Sequence, residues 1–209
     1  MMQNNRDEML KKEKKIKKVI ARWKDCEKCI LHKKRKQVVF WRGNVNARIA
    51  LLGEAPGAVE DQAGEPFRGL SGKLLDGLLD RAGLEPWDIF ACNIVGCHPP
   101  KNRTPLLSEI DICKIRMFSM LRIVKPEVLL LLGGTALYAM TGVKLIAKER
   151  GKIYNVTYEW KNKKHSIRAI PTFHPAYLLR NRREELKRVV ISDINKAIEI
   201  SQDGSYLER

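Results

Sequence analysis

Residues 49–57 read Ile-Ala-Leu-Leu-Gly-Glu-Ala-Pro-Gly: four apolar side chains in a row, then a glycine, one carboxylate and a Pro-Gly turn. A short apolar run without polar alternation is the pattern of a strand covered on both faces, as in a parallel sheet packed between helices. Three further segments repeat it, Ile89 to Val95, Val128 to Gly133 and Ile167 to Phe173. Between the strands, apolar residues recur at helical spacing over Gly72 to Ala82 (Leu74, Leu75, Leu78, Leu79), Leu106 to Val124, Thr135 to Met140 and Arg182 to Ser201. This alternation predicts an α/β fold, a three-layer α/β/α sandwich with a mainly parallel central sheet.

Outside that core the periodicity changes. Ile16, Val19, Ile20 and Trp23 share one face of a Lys-rich helix over residues 6–25, which is expected to pack on the rest. Between Lys144 and Lys164, Tyr154, Val156, Tyr158 and Trp160 alternate with polar residues, a period of two that predicts an edge hairpin. At 209 residues the chain fits a single domain, 1–209. The longest apolar run, Val128 to Leu132, is far too short to span a membrane, and with a charged N-terminus the expectation is a cytoplasmic protein with no membrane partner.

Forty Lys and Arg against 24 acidic residues give a net charge of +16. Such a surplus is the footprint of a polyanion binder, nucleic acid first, although a solvated Lys/Arg surface has the same composition. Five cysteines without an export signal argue against a disulfide framework and for metal binding, catalysis or core packing. Cys26 and Cys29 form a C-x-x-C, while Cys97 and Cys113 stand far from it and from each other. Two such pairs can make a four-thiolate site. Zinc and iron–sulfur clusters both accept four cysteines, and the wide second pair departs from a zinc ribbon. Cys92, inside the second apolar run, reads as a buried small hydrophobe.

Ligands of open α/β sheets bind beyond the carboxyl ends of the strands, so the segments there carry the chemistry. After the first strand come Gly53, Glu54, Pro56 and Gly57, a turn in which backbone amides can approach a ligand beside a carboxylate. The same residues also read as an ordinary βα turn with a solvated glutamate. Glu60, Asp61 and the segment Gly64-Glu65-Pro66-Phe67-Arg68-Gly69 follow. The spacing around Gly72-Lys73 is not that of a phosphate-binding P-loop. After the second strand comes Cys97-His98-Pro99-Pro100-Lys101-Asn102-Arg103-Thr104-Pro105, and after the fourth His174-Pro175-Ala176-Tyr177-Leu178-Leu179-Arg180. A strand-end histidine held by a following proline is suited to donate a hydrogen bond to developing negative charge, or to satisfy a local backbone group.

The ordered set of the early C-x-x-C, GEAPG with Glu60-Asp61, GEPF, N-x-x-x-C-x-P-P-x-N-R-x-P from Asn93, Cys113 and HPAYLLR resembles the family 4, iron–sulfur uracil-DNA glycosylases over roughly Cys26 to Arg180. The resemblance implies hydrolysis of the N-glycosidic bond of uracil in single- or double-stranded DNA, releasing free uracil and leaving an abasic site, by a monomeric protein. It implies that Cys26, Cys29, Cys97 and Cys113 hold a structural [4Fe–4S] cluster. It implies a pocket at Gly53 and Gly57 in which Phe67 stacks on the flipped base, Asn93 reads its polar edge and Glu60 crowds the C5 position against thymine. Glu54 and Asn102 would act on the sugar side, and His174 would stabilise charge on uracil O2. Leu178, Leu179 and Arg180 are candidates for the wedge that fills the gap left by a flipped base. Arg68 departs from the small apolar residue expected after Phe67. Two rival readings are a related glycosylase with broader base choice, such as hypoxanthine, and a non-catalytic iron–sulfur DNA-binding protein.

Overall fold

The computed structural model describes residues 2–160 and 163–203. Six strands form one sheet: β1 (Trp41–Gly43), β2 (Ile49–Gly53), β3 (Ile89–Asn93), β4 (Val128–Leu132), β5 (Tyr154–Trp160) and β6 (Lys163–Thr172), in the order β1-β3-β2-β4-β6-β5. The four inner strands run parallel, and β1 and β5 close the two edges antiparallel. The helices are α1 (Met2–Trp23), α2 (Ala58–Ala63), α3 (Leu70–Arg81), α4 (Leu107–Val124), α5 (Gly134–Thr141), α6 (Ile146–Glu149), α7 (Pro175–Asn181) and α8 (Glu184–Gln202).

Successive side chains of a strand point to opposite faces, and because β2 and β4 are apolar throughout and β3 up to Cys92, each feeds two cores. Ala50, Leu52, Phe90, Cys92, Leu129 and Leu131 face one layer, where Ile16 and Trp23 of α1 meet Met117, Met120 and Leu121 of α4. Leu51, Ile89, Ala91, Leu130 and Ile170 face the other, against Leu75, Leu78 and Leu79 of α3 and Val190, Ile194 and Ala197 of α8. This is the three-layer sandwich that the apolar runs predict. Cys92 is fully buried, in keeping with its reading as a small hydrophobe.

The boundaries differ where tertiary pairing intervenes. The second apolar run leaves the ladder after Asn93, because the amides of Ile94 and Val95 turn to the carbonyls of Gly53 and Glu54 (2.9 and 3.0 Å). The fourth strand begins at Lys163 instead of Ile167: its first half pairs with β5 and its second half with β4. β5 thus pairs antiparallel with β6 at the edge, as its period of two predicts, with residues 161–162 outside the described residues. The basic helix ends at Trp23, short of residue 25, and packs on α4, where Lys12 Nζ donates to the Val124 carbonyl (2.9 Å). Among the described residues no helix is long and apolar enough to cross a membrane.

Candidate active site

The carboxyl ends of β2, β3 and β6 meet where the sequence places its candidate residues. Gly53 ends β2 and pairs with Asn93 at the end of β3. A β-carbon on Gly53 would lie 2.3 Å from Asn93 Oδ1 and 2.6 Å from Phe67 Cζ, so only glycine lets these two side chains stand over the strand end. Asn93 is 3% exposed, and its Oδ1 is buried without a partner. A buried acceptor left open is costly unless a ligand supplies the donor.

Phe67 is buried with a left-handed backbone (φ 59°), a strained conformation for a bulky residue. Gly72, in the first turn of α3, allows it: a β-carbon there would fall 1.9 Å from the Phe67 carbonyl oxygen. The Phe67 ring faces His174 at 6.5 Å between centroids. Glu60 lies beside them, its carboxylate accepting from the backbone N–H groups of Gly57 (3.0 Å), Arg68 (2.9 Å) and Gly69 (2.6 Å). Arg68 itself points outward and pairs with Glu65 on the surface.

His174 caps α7. Its Nδ1 accepts from the Ala176 N–H (3.1 Å), which leaves the ring proton of the neutral form on Nε2. Burial pushes the imidazole pKa down to about 4, the Arg180 charge adds to the shift, and Glu60 opposes it. The ring is therefore a neutral N–H donor at physiological pH.

Glu54 follows Gly53 and accepts a hydrogen bond from the Thr135 hydroxyl in the first turn of α5. Asn102 is exposed, with a left-handed backbone (φ 54°), and its Oδ1 lies 2.9 Å from His98 Nε2. It reaches the rim at Gly57, whose β-carbon would stand 3.6 Å from that oxygen. Its side chain bonds to His98 and not to Glu54. Sequence reasoning missed both His98 and Thr135. His98 could have been noticed four positions before Asn102 on the same turn, whereas Thr135 carries no local signal. From Thr135 an open cleft of about 330 Å³ runs along Thr104, Pro105, Leu107 and Tyr138, with Lys144 at its rim.

One candidate changes role. Leu178 is 2% exposed in the core under α7 and cannot serve as a wedge, while Leu179 and Arg180 on the same helix are exposed. The reason is the helix itself. Pro175 occupies its first position, a standard helix start, and turns Leu178 inward.

The four cysteines come from three segments. Cys26 and Cys29 precede a 3-10 turn at Ile30–Lys33, Cys97 follows β3, and Cys113 lies in α4. All four pack against the core shared by α1 and α4. Arg35 donates to Cys97 Sγ (3.5 Å) and to the Cys26 carbonyl (2.6 Å), and the Gly96 N–H donates to Cys113 Sγ (3.3 Å). Burial raises the Cys97 thiol to about 11, and it also raises Cys29, with Cys113 and Cys26 acting in the same direction on Cys29. Cys113 is thus an electrostatic neighbour of both. No three His, Cys, Asp or Glu side chains among the described residues converge as a single ion would require. The donor set itself, sulfur only and with N–H donors on two of the sulfurs, fits a centre held by thiolates.

Residues 40–197 match the uracil DNA glycosylase superfamily. The chain is 44% identical to a type-4 uracil-DNA glycosylase of Thermotoga maritima, over 86% of this chain and 91% of that protein. It is 38% identical to the type-4 enzyme of Pyrobaculum aerophilum, over 75% and 81%, and 36% identical to that of Archaeoglobus fulgidus, over 84% and 87%.

Proposed function

The chain belongs to the uracil DNA glycosylase superfamily, and from that premise we propose how its residues excise uracil from DNA in repair. The observation that carries the mechanism is the state of His174: neutral, with Nδ1 occupied by the Ala176 N–H and Nε2–H free to point at the base.

Hydrolysis breaks the bond between deoxyribose C1′ and uracil N1. The bonding pair leaves with the base, and negative charge spreads onto O2 while C1′ becomes cationic. A fixed neutral donor at O2 lowers this barrier without having to reorganise. That is the work of His174 Nε2–H. Phe67 stacks on the flipped base, and the open Oδ1 of Asn93 takes the uracil N3–H while its NH₂ group meets O4. Glu60, held by three backbone amides, stands as a fixed wall beside C5. On the sugar side the Glu54 carboxylate, steadied by Thr135, favours the cation and receives the proton of the water whose oxygen bonds to C1′. Asn102, braced by His98, orients that water from the rim. The base leaves as the N1 anion and takes back, through solvent, the proton that Glu54 received, so that free uracil and an abasic sugar result.

Cys26, Cys29, Cys97 and Cys113 would hold a [4Fe–4S] cluster, whose contribution when bound is to cross-link the N-terminal segment, the β3 loop and α4; hydrolysis itself moves no electrons. The protein acts as a cytoplasmic monomer on single- or double-stranded DNA, and the surplus of basic side chains supplies the phosphate attraction. The chain works as a single uracil-DNA glycosylase domain.

The test is single-turnover excision from a uracil-containing oligonucleotide by the wild type and by Glu54→Ala, with DNA affinity measured alongside. Excision is expected to fall far more than affinity. Equal losses in both would mean that Glu54 binds DNA and does not act on the reacting sugar.

A further inference from the structure

Arg116, in the middle of α4, is 1% exposed, the largest fully buried side chain among the described residues. No carboxylate lies within ion-pair range of it among those residues. Its guanidinium is spent on the backbone instead. Nη2 donates to the carbonyl of Asn93 (2.8 Å) and, at longer range, to that of Ile94 (3.5 Å), and Nη1 reaches the carbonyl of Val39 (3.4 Å). Nε has no partner. The group lies over the Phe40 ring at 5.8 Å. Gly96 makes room for it: a β-carbon there would stand 2.8 Å from Nε and 2.9 Å from Cζ. The amide of that same Gly96 donates to Cys113 Sγ, and the Arg116 charge acts on the next residue, Cys97.

A buried cation without a counter-charge is among the most costly arrangements in a protein. Carbonyl dipoles offset part of that cost. The rest calls for negative charge nearby, and one glycine away stand the sulfurs of Cys97 and Cys113, two of the four cysteines. Four thiolates carry more negative charge than an iron–sulfur core neutralises, so the ligated centre is a net anion. On its other side the same guanidinium grips the carbonyl of the residue whose side chain reads the base.

We propose that Arg116 is a positioning residue: its planar fork latches the backbone of Asn93 and Ile94 at the mouth of the uracil pocket, and its counter-charge is the metal centre held by Cys26, Cys29, Cys97 and Cys113. The centre thereby fixes the base-reading amide through electrostatics as well as through chain cross-links. The inference rests on the reading of Asn93 and the cysteines given above.

Arg116→Met and Arg116→Lys, each prepared as the full iron-loaded chain, test it. The readouts are the midpoint potential of the cluster, kcat/KM for uracil in single-stranded DNA, and affinity for uracil-free DNA. In Arg116→Met the potential moves to more negative values, because a nearby cation that favours the reduced, more negative cluster is gone. kcat/KM falls about 10- to 100-fold, the scale of a sub-ångström to 1 Å displacement at a reacting centre, and affinity for uracil-free DNA is unchanged. Arg116→Lys restores the potential, since the charge returns, but not kcat/KM, since an ammonium cannot span several carbonyls as a fork does. An unchanged potential in folded, iron-loaded Arg116→Met overturns the counter-charge. Wild-type kcat/KM in Arg116→Lys overturns the latch, and this arm decides alone if the methionine variant does not fold. A wild type that releases no uracil, or that binds no iron, would instead refute the underlying reading of the site.

Discussion

The base pocket and the four-cysteine site share one stretch of backbone, Asn93 to Cys97, and they are held in opposite ways. In the pocket nearly every polar group is fixed by a short bond to a neutral partner: three backbone amides on Glu60, one on His174, a hydroxyl on Glu54. Glycines 53 and 72 set the distances. At the cysteines the bonds to sulfur are long, burial pushes Cys97 and Cys29 toward the neutral thiol, and Arg35, which donates to Cys97, also lines a cleft of about 540 Å³ with Lys24, Asp25 and Lys36. The first region is preorganised by the fold. The charge state of the second depends on what it holds, and the Arg35 cation already stands against it. The pocket should therefore lose function without losing stability when it is mutated, and the cysteine site should do the reverse.

The largest effect is expected at the cysteines. Cys97→Ser or Cys113→Ser should lose iron and lower the melting temperature by about 10 °C or more, since metal binding at such sites is coupled to folding. A variant that melts like the wild type would erase the contrast between the two regions. Next comes His174→Ala, expected to slow single-turnover excision about 10²- to 10³-fold while melting as the wild type does. If it unfolds instead, the capping bond to Ala176 outweighs the catalytic one.

Asn93→Asp sharpens the picture of the pocket itself. A fixed amide matches uracil at N3 and O4, whereas a carboxylate loses the donor to O4 and can accept from the cytosine amine. Uracil excision should drop by about 5- to 150-fold, the value of a bidentate base contact, and the ratio of cytosine to uracil excision should rise. Competitive binding of the free bases checks the same preference without relying on cytosine as a leaving group. Unchanged base preference would remove Asn93 from recognition.

The smallest effect is thermodynamic. His174 is held near a pKa of about 4 against an ordinary value of 6.5, so the unfolded chain takes up its proton at a higher pH than the fold does. The histidine leaves stability untouched above pH 6.5, erodes it as the pH falls from 6.5 toward 4, and erodes it no further below that. Between about pH 7.5 and 5 the melting temperature should fall more steeply for the wild type than for His174→Gln. Parallel slopes would mean that the imidazole is not kept neutral by the fold.

Ile49 to Leu52 and Val128 to Leu132 were legible as inner strands because unbroken apolar runs of four or five residues that end on glycine are too short for a buried helix. β1 was not. Three residues, Trp41-Arg42-Gly43, are too few for a period, and the strand exists because Gly43, with φ 96°, can approach the Ile89 carbonyl so closely that a β-carbon would lie 2.0 Å from it. α7 was hidden for a different reason: His174 to Arg180 invites reading as a functional loop, although Pro175 in its second position is itself a helix start. In the site, the segments after the strand ends were singled out by position and the role of Asn93 came only with the family resemblance, whereas the contacts of Thr135, His98 and Arg116 join segments distant in the chain or lie in turns whose geometry no local pattern announces. Lys101 and Asn102, both left-handed without being glycine, illustrate the latter.

The order of the proposed ligands along the chain has a consequence for synthesis. Cys26, Cys29, Cys97 and Cys113 all precede β4, while His174 arrives roughly 60 residues after the last of them. At 5–20 residues per second a ribosome needs about 3 to 12 s for that interval. During it the thiol half of the molecule has been made and the histidine has not, so on the proposed reading a nascent chain can meet its metal before it possesses the means to cut a base from DNA.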